Sequence, residues 1–184
     1  QIFWELFSSP PATLAEDKNA GSSASLGSVD KIVQELIASK GDMNRRFGSK
    51  FNKDDEGILI LAWAVSFKNI DAVEKLLKNG ADPNLEVMKG GGVTALFEAL
   101  ASNDLETDAQ RIKEYRSVTK KICEILIRYK ADVNHKDKLE RTPLYRAATV
   151  GREDLCALLI AHTADVNTTD KFGNVTHSKS LQDF

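Results

Sequence analysis

The sequence predicts an all-α protein, a solenoid of stacked helix–turn–helix units with degenerate units at both ends. Two observations carry this. Similar short endings recur along the chain: Asn79-Gly80-Ala81-Asp82-Pro83-Asn84, Tyr129-Lys130-Ala131-Asp132-Val133-Asn134 and His162-Thr163-Ala164-Asp165-Val166-Asn167, with a weaker form at Ser39-Lys40-Gly41-Asp42-Met43-Asn44. Asn134 and Asn167 lie 33 residues apart, and the longer intervals upstream fit the same period with insertions. Before these endings run stripes with helical spacing: Ile70, Val73, Leu76, Leu77; then Ile122, Cys123, Ile125, Leu126, Ile127; then Leu155, Cys156, Leu158, Leu159, Ile160. A unit of this size cannot bury such a face alone, and stacking on a neighbour does so.

Taken in order, residues 1–53 form a degenerate capping repeat. Its second helix is expected at Val29–Ile37, its first near Leu6-Phe7, and a Pro/Ser/Gly-rich loop between them from Ser8 to Gly27. The opening segment lacks the basic start and cleavage site of a signal peptide and reads as a capping helix. Residues 54–86 form a repeat with Gly57 at its hairpin, and residues 87–136 another with a helical insertion at 104–118. Thr107 with Gln110 forms a capping box, and Ile112, Tyr115, Val118 or Thr119, Ile122 and Ile125 keep helical spacing, predicting one helix over 107–129. Residues 137–169 make the most regular repeat. Pro143 suits a first helical turn, where its missing N–H has no partner to lose, and Thr142 caps it. Residues 170–184 form a polar cap or truncated repeat.

The run Arg141-Thr142-Pro143-Leu144-Tyr145-Arg146-Ala147-Ala148, the turn at Gly151 and the closing Ala164-Asp165-Val166-Asn167 resemble the ankyrin repeat family. The resemblance extends over about residues 28–175, through Leu59-Ile60-Leu61-Ala62 and Thr94-Ala95-Leu96-Phe97. It implies short β-hairpin loops between units. It also implies a protein–protein interaction module that binds a protein partner through its concave hairpin and first-helix face. By register, that face holds Ile58, Phe67, Val93, Leu139, Arg141, Val150 and Phe172, with polar neighbours such as Lys138, Thr149, Lys171 and Asn174. If exposed together, the apolar six would form a patch of the kind that marks interaction sites. Arg141 and Phe67 rank first among them, because arginine and aromatic side chains dominate binding hot spots.

Bulk composition narrows the function classes. With 25 Lys+Arg and 27 Asp+Glu the net charge is −2, which gives no basic excess for nucleic acid. The longest apolar run, Ile58 to Val65, is far short of the ~20 residues that span a bilayer. Cys123 and Cys156 occupy equivalent positions on stacked helices. Helix axes about 8–10 Å apart cannot bring Cα atoms within the ~7 Å a disulfide needs. Two buried free thiols and a reducing compartment are therefore expected. His135, His162 and His177 fall in no metal-binding pattern, and Lys89-Gly90-Gly91-Gly92-Val93-Thr94 lacks the order of a phosphate-binding loop. The reading is a non-enzymatic, soluble, intracellular and cytoplasmic monomer without catalytic residue, metal or cofactor. Its partner is a protein, with neither nucleic acid nor membrane insertion. The alternatives are a substrate-recognition arm of a larger enzyme, or a bacterial effector delivered into a host cell, whose ankyrin-like repeats the loose, inserted units resemble.

Overall fold

The computed structural model describes residues 23–47, 57–88, 90–101 and 109–175. The chain divides into two compact units, Gln1–Ala81 and Asp82–Phe184.

In the first unit, α1 (Ser23–Ala38) precedes a two-stranded antiparallel hairpin of β1 (Arg46–Phe47) and β2 (Ile58–Leu59), in which Arg46 faces Leu59 and Phe47 faces Ile58. The chain continues into α2 (Ile60–Ser66) and α3 (Ile70–Lys78). The continuous apolar run becomes α2, buried from Ile60 to Val65 because α1 and α3 both pack on it. Val29, Ile32, Val33 and Leu36 of α1 keep the i, i+3, i+4, i+7 spacing and are all buried. Asn69 caps α3 by accepting from the Ala72 N–H at 3.0 Å, while its amide donates to Asp30 of α1 at 3.1 Å. Helix α1 begins earlier than the sequence reading placed it, since residues 23–27 were assigned to the loop. An interior glycine such as Gly27 costs only about 1 kcal/mol relative to alanine, which the apolar stripe that follows offsets. The rest of that insert, with Leu6 and Phe7, lies outside the described residues.

In the second unit, α4 (Ala95–Ala99) and α5 (Ala109–Arg128) form one pair, and α6 (Pro143–Thr149) and α7 (Glu153–Ala161) the next. First helix packs on first helix (α4 on α6) and second on second (α5 on α7), as stacking requires. Thr142 caps α6 by accepting from the Tyr145 N–H at 3.2 Å, with Pro143 in the first turn. The core includes Leu96, Phe97, Ile122, Leu126, Leu144, Leu155 and Leu159, each at most 1% exposed. Cys123 and Cys156 are buried free thiols. Burial, then the charges of Asp154 and Glu153, push the Cys156 thiol up to about 11, so it packs as a small hydrophobe.

Helix α5 occupies most of the span expected for it, and Thr107 of the proposed capping box lies outside the described residues. Its first ten residues bury no side chain fully; Ile112, Tyr115 and Val118 are half-buried. This stretch is held from the side. Arg152, only 4% exposed, donates to the Arg116 carbonyl at 3.0 Å and pairs with Asp154 at 2.8 Å.

The recurring endings have one physical cause. Lys40, Gly80, Lys130 and Thr163 all take left-handed backbone, with φ of 50°, 94°, 70° and 66°. The next residue's N–H then reaches back over the last turn: Gly41 to Leu36, Ala81 to Leu76, Ala131 to Leu126 and Ala164 to Leu159, at 2.8–3.0 Å. These are Schellman closures, which satisfy carbonyls that a helix end otherwise leaves open. The asparagine that follows joins one unit to the next. Asn84 donates to the Lys130 carbonyl at 2.9 Å and accepts from Asp132 N at 2.7 Å. Asn134 does the same with the Thr163 carbonyl and Asp165 N, at 3.1 and 2.8 Å.

Candidate partner-binding face

Two loop tips, 33 residues apart, are built alike. Asp137 stands at the base of the first with its side chain 3% exposed. Its Oδ1 accepts from the N–H groups of Leu139 and Arg141, each at 2.9 Å, and its Oδ2 accepts from Arg141 Nε at 2.8 Å and Nη2 at 2.5 Å. In the second tip, Asp170 accepts from the backbone of Phe172 and Asn174 at 2.9 and 2.8 Å, from the Asn174 amide at 2.9 Å, and from the Tyr145 hydroxyl at 3.2 Å. Lys171 N donates to the Leu139 carbonyl at 2.8 Å and ties the tips together. A carboxylate that accepts several N–H groups is stabilised in its charged form. Burial alone would raise the Asp137 pKa, but the Arg141 side chain and the two backbone donors outweigh it, so the net shift is downward. The Asn174 amide leads the lowering at Asp170, against burial. Burial and the same Asp170 carboxylate raise Tyr145.

Beside the first tip lies an open cleft of about 260 Å³, lined by Arg141, Tyr145, Arg146, Thr149 and Val150. The Arg146 guanidinium stands over the Phe97 ring, 5.8 Å from its centroid, so α4 supplies an aromatic floor for a cation carried by α6. Desolvation weakens the hold of Arg146 on its proton, the charge of Glu98 counters that, Arg141 adds to it and Asp137 opposes it. Its Nε is buried without a hydrogen-bond partner among the described residues. Nor does Arg146 enter an ion pair there, whereas Arg141 and Arg152 each hold a carboxylate. Among the described residues no group of three or more His, Cys, Asp or Glu side chains could hold a metal ion.

Comparison with known proteins bears on a chain so arranged. A family model for ankyrin repeats (three copies) matches residues 88–170, and one for a single ankyrin repeat matches residues 56–86. The chain belongs to the ankyrin repeat family. It is similar to the probable 26S proteasome regulatory subunit p28 of Saccharomyces cerevisiae, 29% identical over 140 residues that cover 65% of this chain and 59% of the relative. The chain therefore spans about three fifths of that relative's length. Ankyrin repeats are in general protein–protein interaction modules, and no helix among the described residues is long and apolar enough to cross a membrane.

Of the ankyrin-face residues named from the sequence, Arg141 and Val150 line the cleft, and Leu139 and Phe172 sit on the two joined tips. Val93 lies where the chain enters α4, its carbonyl accepting from Val87 N at 2.7 Å. Ile58 and Phe67 belong to the first unit: Ile58 pairs in β2, and Phe67 ends α2 with its ring edge-on to Trp63, centroids 6.4 Å apart. The expected exposure needs correction. Among the apolar six only Phe172 is exposed, at 70%, and the other five are half-buried. Phe67 and Val150 end first helices and Ile58 lies in a paired strand, so the backbone around each already removes part of the side chain from water. Arg141 is correspondingly committed to Asp137. Tyr145 and Arg146 were missed as site residues. The available signal was two large polar-tipped side chains inside the Leu144–Ala148 run, where only small or apolar residues are needed for packing.

Proposed function

We propose that this chain is a non-enzymatic scaffold that grips a protein partner with the tip and first-helix surface of its regular repeats. The residues are Leu139, Arg141, Val150 and Phe172, joined by Tyr145, Arg146 and Thr149, with Val93 alongside and Ile58 and Phe67 serving the same role in the first unit. One observation carries the reading: Phe172, 70% exposed, stands on a tip pinned by four hydrogen bonds to Asp170. A large apolar side chain in water on a backbone already held in place leaves less ordering to be done on binding, which is what a hot-spot anchor needs. Repeats at 54–86, 87–136 and 137–169, with caps at 1–53 and 170–184 and an insertion at 104–118, fit this design. The balanced charge suits a monomer that binds protein in place of nucleic acid, and two free thiols suit a cytoplasmic site of action.

The name of the yeast relative, a probable regulatory subunit of the 26S proteasome, supports a role as one bound component of a larger protein assembly. Peptide-library selection on the immobilised chain, followed by affinity measurement on Phe172→Asp, tests the proposal. Selected peptides should lose about tenfold or more in affinity for the variant while its thermal transition stays within a few degrees of the parent. Equal affinity would reject this face.

A further inference from the structure

The cleft beside Arg146 carries a more specific inference, which rests on the binding role proposed above and names the chemistry of what binds. Arg146 is an α6 cation over an aromatic floor, and its Nε finds no acceptor among the described residues. Leaving a buried donor unmet costs about 1–3 kcal/mol, more for a charged group, and folding alone gives no reason to keep it so. The neighbouring cation, Arg141, already holds the Asp137 carboxylate through two N–H donors. The Glu98 charge acts on Arg146, but the two form no ion pair among the described residues. The cleft therefore has room for one more negative charge and little more. Its volume of about 260 Å³ lies below the ~300–1,000 Å³ of small-molecule sites and suits a single side chain.

We propose that this cleft receives the carboxylate of one aspartate or glutamate on an extended segment of the partner, paired to Arg146, with Tyr145, Thr149 and Val150 walling the stem of that side chain. A phosphorylated residue fits less well. Its second negative charge would add to those of Glu98 and Asp137 near Arg146, with no second unpaired cation among the residues that line the cleft.

The probes are the library-selected peptides, each measured as selected and again with every acidic residue changed in turn to its amide. One acid-to-amide change per peptide should weaken binding about tenfold or more to the parent chain, and leave binding to Arg146→Gln nearly unchanged. Because Arg146 also packs on Phe97, a second variant is needed that leaves this stack intact. Thr149→Glu sets a carboxylate at an exposed position on the rim, and should abolish the preference for acid over amide in a chain that melts like the parent. Peptides that need Phe172 but are indifferent to every amide change would overturn the carboxylate site and leave the scaffold reading standing. Peptides indifferent to Phe172 as well would remove both. An acid preference that persists undiminished in both variants, or tighter binding of phosphoserine than of glutamate at the same position, would also overturn the site.

Discussion

At the residue scale, the arginine that looked most like a binding hot spot is first a structural partner. Asp137 is buried and accepts four hydrogen bonds, two of them from the Arg141 guanidinium. Removing Arg141 leaves a buried carboxylate half-satisfied, so Arg141→Ala should lower stability by about 1–3 kcal/mol, read as a fall in urea midpoint with unchanged slope. Lysine in its place should recover only part of the loss, because an ammonium cannot offer the same planar pair of donors. Loss of binding in an Arg141 variant thus says little about the interface unless stability is measured beside it. Phe172, which nothing in the fold requires to be apolar, is the cleaner probe.

At the element scale, α5 shows how an insertion is made rigid without a core. Its buried residues begin at Thr119, and the ten residues before them carry only half-buried apolar side chains. Helix propagation from the packed half supplies part of their order. The lateral hold comes from Arg152, whose guanidinium bridges the Arg116 carbonyl and the Asp154 carboxylate. Arg152→Ala should therefore raise amide hydrogen exchange across 109–118 well above the parent rate, while the amides of 122–127 keep their protection. Uniform loss of protection along all of α5 would mean that Arg152 supports the whole stack. The sequence showed the length of this helix through its spacing. The bracing arginine was illegible, because a lone Arg at a helix start carries no sign of the backbone it will meet 36 residues earlier.

At the scale of the whole molecule, stability should be acid-sensitive in a defined window. Asp137, Asp154 and Asp170 all have folded-state pKa values below the ordinary aspartate value of 3.8. Unfolding then takes up protons. The stabilisation these groups supply is complete above that value and drains away as pH falls through it toward the folded-state values. Urea midpoints measured from about pH 6 to about pH 2 should stay level and then drop, and Asp137→Asn should show a smaller acid loss than the parent. Cys156 contributes nothing to this profile, since its thiol stays protonated until about 11.

The repeat itself was legible in residues because it is local chemistry written four times. A left-handed residue closes the second helix of each unit, an aspartate bonds its own loop, and at Asn84 and Asn134 an asparagine clamps the next unit. The small residue after each left-handed position, the aspartate and the asparagine recur at fixed offsets, so the 33-residue period and the helical stripes sufficed for the fold. Exposure and pairing were decided only by the tertiary structure. Whether Val150 faces water, and whether Arg141 or Arg146 holds the carboxylate, depends on which side chains the loops fold against and which cation lies within reach of Asp137. Those contacts join different elements, and no periodicity records them.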